Sequence, residues 1–100
     1  MSQYGKGDNM KRIRFYIGLQ DNFKRRYSIE DIKPILNRYY EGYNITKTFG
    51  VWHGCQELSC IVETLQESDS LSTIVAEEIK AALNQEGVLV TVDNTDARFI

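Results

Sequence analysis

The stretch FGVWHGCQELSC, residues 49 to 60, gathers the single tryptophan, the single histidine and both cysteines of the chain. Imidazole and thiol are the side chains that ligate zinc and activate nucleophiles, so three chemistries come into question: a metal site, a cysteine-histidine pair and a lone acid-base histidine. His53, Cys55 and Cys60 supply three ligands, whereas structural zinc takes four from paired spacings such as C-x2-C, and no second pair follows. A metal is therefore not expected. A nucleophilic pair needs mutual hydrogen-bond reach and a third group to orient the base, which nearness in sequence does not supply. Imidazole in general titrates near neutral pH and can work alone as an acid or base, but in a loop His53 reads as exposed. By alternation Cys60 shares a face with Leu58 and Val62 and reads as core, Cys55 falls in the turn, and Trp52 reads as a packing or interface anchor.

Other routes to catalysis are equally thin. Glu57, Glu63, Glu77 and Glu78 are scattered and make no carboxylate pair suited to acid-base work, and the last two read as solvated helix residues. The phosphate-cradling loops G-x-x-x-x-G-K-S/T and G-x-G-x-x-G are both absent, so no nucleotide cofactor is expected. What remains is charge. Residues 1 to 40 carry a net +5 and residues 41 to 100 a net −7, within a total of −2. A basic first part and an acidic second part suit either an anion-binding face or association between complementary surfaces.

The elements that must position these groups follow from periodicity. One hundred residues with 42% hydrophobic and 26% charged content make one soluble domain. The polar start MSQYGKGDN has no periodicity, so residues 1 to 10 are expected to be a flexible tail and residues 11 to 100 the domain. No apolar run approaches the ~18 residues of a membrane span, and that start lacks the apolar segment of a signal peptide, which makes a cytoplasmic address the expectation. From Lys11 to Gln20, Ile13, Phe15, Ile17 and Leu19 alternate with Arg12, Arg14, Tyr16 and Gly18, the pattern of a strand with one buried face. Ser28 followed by Asp31 caps a helix whose stripe is Ile29, Ile32, Leu36, Tyr39 and Tyr43, with a kink or a preceding short turn expected at Pro34.

Tyr43 to Trp52 and Leu58 to Leu65 read as strands joined by a loop at His53-Gly54-Cys55-Gln56. Ser68, Asp69 or Ser70 should cap a second helix with apolar positions Leu71, Ile74, Val75, Ile79, Ala82 and Leu83, and Gly87 should end it in the left-handed conformation. Val88 to Val92 is the last clear strand, and Asn94-Thr95-Asp96 offers a turn that folds ARFI back beside it. The order strand, helix, strand, strand, helix, strand is the ferredoxin-like α+β arrangement, a four-stranded antiparallel sheet of order 4-1-3-2 with both helices on one face. The other face is left open, carrying Arg14, Tyr16, Thr46, Thr48, Trp52, Ser59, Ile61, Glu63, Leu89 and Thr91. A sheet face that mixes Tyr, Trp, Ile and Leu marks a contact surface.

Two resemblances add to this reading. Phe15-Tyr16-Ile17-Gly18-Leu19 resembles the first-strand motif of RNA-recognition domains, which implies that Tyr16 stacks on a base while nearby basic residues meet phosphates. The likeness ends at ELSCIVET, where Glu63 would repel a phosphate backbone. Over residues 11 to 92, FYIGLQD before a capped helix, a hairpin ending in VETL, and LNQEGVLV resemble short ferredoxin-like proteins carried by phages, plasmids and other bacterial mobile elements. That resemblance implies an accessory protein that blocks a host component or captures a small signalling molecule.

The expectation from sequence is thus a small non-enzymatic module that homodimerises through its open sheet and binds a host protein or a small anionic ligand. Its binding residues are Arg14, Tyr16 and Trp52 on the sheet and Lys24, Arg25 and Arg26 in the first loop; single-stranded nucleic-acid binding and an enzyme using His53 are the alternatives.

Overall fold

The computed structural model describes residues 8 to 100. Of the tail expected over residues 1 to 10, residues 1 to 7 lie outside the described residues, and the first strand already begins at Asp8. The elements are β1 (Asp8–Gly18), α1 (Ile29–Tyr39), β2 (Asn44–Trp52), β3 (Cys55–Gln66), α2 (Ser72–Ala82) and β4 (Leu89–Ala97). All pairings are antiparallel and the sheet order is β2-β3-β1-β4, the expected order read from the other edge. This is the ferredoxin-like fold.

The alternation of β1 fixes which side is buried. Ile13, Phe15, Ile17 and Leu19 meet Cys60 and Val62 of β3 beneath Ile32, Ile35 and Leu36 of α1 and Val75, Ile79 and Leu83 of α2. Burial also pushes the Cys60 thiol up to about 11, so it stays protonated and behaves as a small apolar side chain.

Local signals were met unevenly. Ser28 and Asp31 form a reciprocal capping box: the Ser28 hydroxyl accepts from the helix, and the Asp31 carboxylate accepts from Ser28 N at 2.8 Å. α1 runs through Pro34 as one helix; the bond that proline forgoes is to the Glu30 carbonyl, near the helix start. On α1 Ile32, Ile35 and Leu36 are buried, as is Tyr40 just after it; Ile29 and Tyr39 of the expected stripe pack against the same core, as does Tyr43, which lies beyond the helix end. None of Ser68, Asp69 and Ser70 caps α2 with its side chain; Leu71 stands at that position, and Leu71 and Ile74 are exposed.

Asn84, not Gly87, takes the left-handed conformation after α2, with φ +51°. Its N–H donates to Ala81 O and that of Gln85 to Lys80 O, the paired bonds of a Schellman ending. β4 continues straight through Asn94–Asp96 to pair with Asp8–Lys11, so no turn folds the end of the chain back. Glu78 is not simply solvated: it accepts from Arg38 and from the Tyr39 hydroxyl and ties the two helices together.

The β2–β3 connection is shorter than expected. Trp52 pairs with Cys55, leaving a two-residue turn of His53 (φ +50°) and Gly54 (φ +76°). Two positive φ angles in succession match the type I′ turn, whose twist suits a tight hairpin. β3 therefore starts at Cys55 and carries Glu57 onto the sheet.

Candidate functional site

The strand register builds the open face row by row. Tyr16 lies between Ile61 and Leu89, Gly18 opposite Ser59, Ser59 opposite Thr48, and Glu57 opposite Gly50. Two of these positions, Gly18 and Gly50, present no side chain, so the sheet is bare at that end of the face. The Thr48 and Ser59 hydroxyls bond each other across it at 2.8 Å.

A groove of about 720 Å³ occupies this hollow. Its floor is the end of β1 with β3; one wall is Phe49 to Trp52, and the other is Asn84 to Leu89 together with Gln20 to Asn22. Its size falls in the range of sites for small molecules.

The second wall is assembled by side chains. Asn22 Nδ2 donates to Glu86 at 2.7 Å, and Asn84 Nδ2 approaches the Asp21 carboxylate at 3.5 Å, so the β1–α1 connection and the α2–β4 connection are joined. Asp21 is the centre of that junction. Its side chain is buried, which pushes its carboxyl up, but hydrogen bonds from the Tyr27 hydroxyl, Arg25 and Phe23 outweigh burial and hold it well below the usual carboxylate range. Gln85 reaches over Gly18, with its Nε2 on the backbone carbonyls of Gln20 and Leu83 at 3.2 and 3.1 Å.

The lining has one sign of charge. Asp21, Glu57 and Glu86 line the groove, and no Lys, Arg or His does so among the described residues. Of the six binding residues expected from sequence, Tyr16 and Trp52 line the groove; Arg14, Lys24, Arg25 and Arg26 do not. Arg14 donates to Glu63 at 2.7 Å, and that contact raises its pKa further. Arg25 is held by Asp21 at 2.7 Å and lies over the Phe23 ring. Lys24 occupies a turn with φ +66°. The imidazole and thiols of residues 49 to 60 are kept apart: His53 sits exposed in the turn, edge-on to Trp52 at 4.9 Å, Cys55 is exposed and Cys60 faces the core. Among the described residues no three His, Cys, Asp or Glu side chains converge as metal ligands.

Glu57, Gln85 and Gly18 are what the sequence reading missed. Placing Cys55 and Gln56 in the turn kept Glu57 off the sheet. The outward glycine in strand FYIGLQ and the polar run NQEG ahead of the last strand were the available signals.

Fold and site together define a ferredoxin-like protein with a groove at one end of its open sheet face. No protein-family model and no curated protein matches the sequence. Solved structures do. A phage SAM lyase in complex with S-methyl-5'-thioadenosine is 21% identical, with a TM-score of 0.71 over 97% of this chain and 95% of that one. A phage SAM lyase in the apo state is 21% identical, with a TM-score of 0.59 over 100% of this chain and 98% of that one. CPII, a nitrogen regulatory PII-like protein from Thiomonas intermedia K12 bound to ADP, AMP and bicarbonate, is 14% identical, with a TM-score of 0.61 over 92% of this chain and 96% of that one.

At these identities the likeness is one of fold, and it agrees with the resemblance to small phage-encoded ferredoxin-like proteins. It also corrects the non-enzymatic reading. An enzyme carries this layout over nearly its whole length, so the lack of familiar catalytic motifs is no argument against catalysis on it.

Proposed function

We propose that the groove takes an adenosine-bearing small molecule and that the chain is an enzyme cleaving the sulfonium nucleoside SAM (S-adenosylmethionine) to S-methyl-5'-thioadenosine. The observation that carries this reading is the sign of the lining: Glu57 and Glu86 with no cation among the described lining residues. A phosphorylated nucleotide would bring anions against carboxylates, whereas a sulfonium brings a positive charge that they attract. Tyr16 and Trp52 offer flat faces for an adenine ring, and the Thr48, Ser59 and Gln85 side chains offer polar partners for a ribose. The thioadenosine nucleoside in the lyase structure supports the choice of ligand, and the ADP and AMP in the PII-like structure share its adenosine part.

The chemistry asks little of the protein. A sulfonium leaves as a neutral thioether, so no acid is needed to protonate the leaving group. Attack of the substrate's own carboxylate on its γ-carbon closes a five-membered lactone as the C–S pair moves to sulfur. The groove's work is to fold the chain of the substrate and exclude water. The expected result is S-methyl-5'-thioadenosine accumulating in proportion to enzyme when the purified protein is incubated with SAM and the mixture is chromatographed. Tight binding of AMP or ADP with no such release would overturn it in favour of nucleotide sensing.

The wider proposal is a single domain, taking in β1 from Asp8, that works as a phage or mobile-element accessory protein on a cytoplasmic small molecule of the host. Two copies associate through the open face, on which Trp52 and Leu89 are 64% and 62% exposed. Arg14, paired with Glu63 beside Tyr16, would flank that contact. Sedimentation should then show a wild-type oligomer that shifts to monomer in the double variant Tyr16→Ala, Trp52→Ala. A wild-type monomer removes the association. Lys24, Arg25 and Arg26, outside the groove, are left as a secondary surface for a host protein. Among the described residues no helix is long and apolar enough to cross a membrane.

A further inference from the structure

Gln85 is a side chain with one end fixed. Its Nε2 donates to the carbonyls of Gln20 and Leu83, which turns Oε1 toward the end of β1. There Oε1 lies 2.7 Å from the point that a Cβ on Gly18 would occupy, and Glu57 Oε1 lies 3.8 Å from the same point. Oxygens from two distant parts of the chain thus flank one bare piece of backbone.

The two acidic strand residues of this face differ in their partners. Glu63 is engaged by Arg14 at 2.7 Å, whereas no hydrogen bond or ion pair from the described residues reaches Glu57. Glu57 is thus a half-buried carboxylate in a groove that no Lys, Arg or His of the described residues lines.

We infer that Glu57 and Gln85, brought together over Gly18, form the subsite for the positively charged centre of the ligand and select a cationic nucleoside over its neutral thioether counterpart. The inference rests on the nucleoside reading above and adds which residues read the charge. A sulfonium has no N–H to donate; its charge is spread over sulfur and the attached carbons, and it is recognised by oxygens packed closely around it. A Cβ at position 18 would fall on the end of the Gln85 side chain and push its Oε1 aside. Discrimination against the neutral product also helps the groove release it.

The test uses two stable nucleosides that share the amino-acid arm: sinefungin, with a protonated amine in place of the sulfonium, and S-adenosylhomocysteine, with a neutral sulfur. Calorimetry on wild type should show sinefungin bound more tightly. Glu57→Gln should weaken sinefungin roughly tenfold or more while leaving S-adenosylhomocysteine within about twofold. Gln85→Leu should move the ratio the same way by less, and Gly18→Ala should reproduce the Gln85 defect. Equal losses for both ligands in Glu57→Gln, or none for either, overturn the subsite and leave the nucleoside reading standing. Failure of wild type to bind either ligand overturns both.

Discussion

An Asp21→Ala protein is expected to unfold at a clearly lower temperature than the wild type and to lose affinity for nucleosides in whatever fraction stays folded. The Asp21 side chain has 0% of its surface exposed. Its Oδ1 accepts from the backbone N–H groups of Phe23 and Arg25 at 2.9 and 3.0 Å, and its Oδ2 from Arg25 Nε and the Tyr27 hydroxyl at 2.7 and 2.8 Å. Alanine removes every one of these acceptors at once and leaves donors that must be rehydrated or stay unpaired. The β1–α1 connection would then lose its shape and, with it, the Asn22 and Asn84 contacts that hold one wall of the groove.

The same carboxylate gives a pH signature. Its native pKa is depressed below the ordinary 3.8, so its contribution is fully present above that value and is lost as pH falls through the lower native one. Thermal unfolding of wild type and Asp21→Asn, followed by circular dichroism from neutral to strongly acid pH, should show a gap that persists through the weakly acid range. The gap should narrow only below the usual aspartate range. Coincident melting temperatures at neutral pH would show that the loop is held by something else.

Replacing Phe15 by alanine should bring the domain close to, or past, the point of unfolding. Phe15 has 0% exposure, sits between Val62 and Val90 on the neighbouring strands, and packs its ring 6.3 Å from that of Tyr40. Losing a buried aromatic side chain costs about 3 to 5 kcal/mol, because transfer free energy and cavity formation add. Small domains hold only about 5 to 15 kcal/mol in total. Urea titration should show the midpoint falling steeply with an unchanged slope if two-state folding survives. A loss below about 1 kcal/mol would mean that the core is not centred on β1.

How far the sequence reveals this molecule depends on the range over which each signal acts. The buried face of β1 is legible because alternation is a property of neighbouring residues, and the Ser28–Asp31 cap because it spans one helical turn. The strand order followed from handedness rules applied to the element order. Errors came where competing residues could serve one local role. Asn84 and Gly87 both tolerate a left-handed backbone, and the Schellman bonds selected the first. His53 is an unusual choice for positive φ, so the turn was read two residues too long.

The groove was harder, because Gly18, Glu57 and Gln85 meet only through register and through a loop that folds over a strand. Charge misled for the same reason. Arg14 counts as a free cation in the sequence, but the pairing of β1 with β3 sets it opposite Glu63. Even Arg25, in the basic loop, is paired with Asp21.

The tight hairpin has one practical outcome. It sets the exposed Cys55 directly across from Trp52 at the rim of the groove, while the second cysteine is shielded in the core. A maleimide dye would attach at one place without any engineering, within energy-transfer range of the sole indole. The native chain thus contains both halves of an optical gauge of whether the cleft is filled.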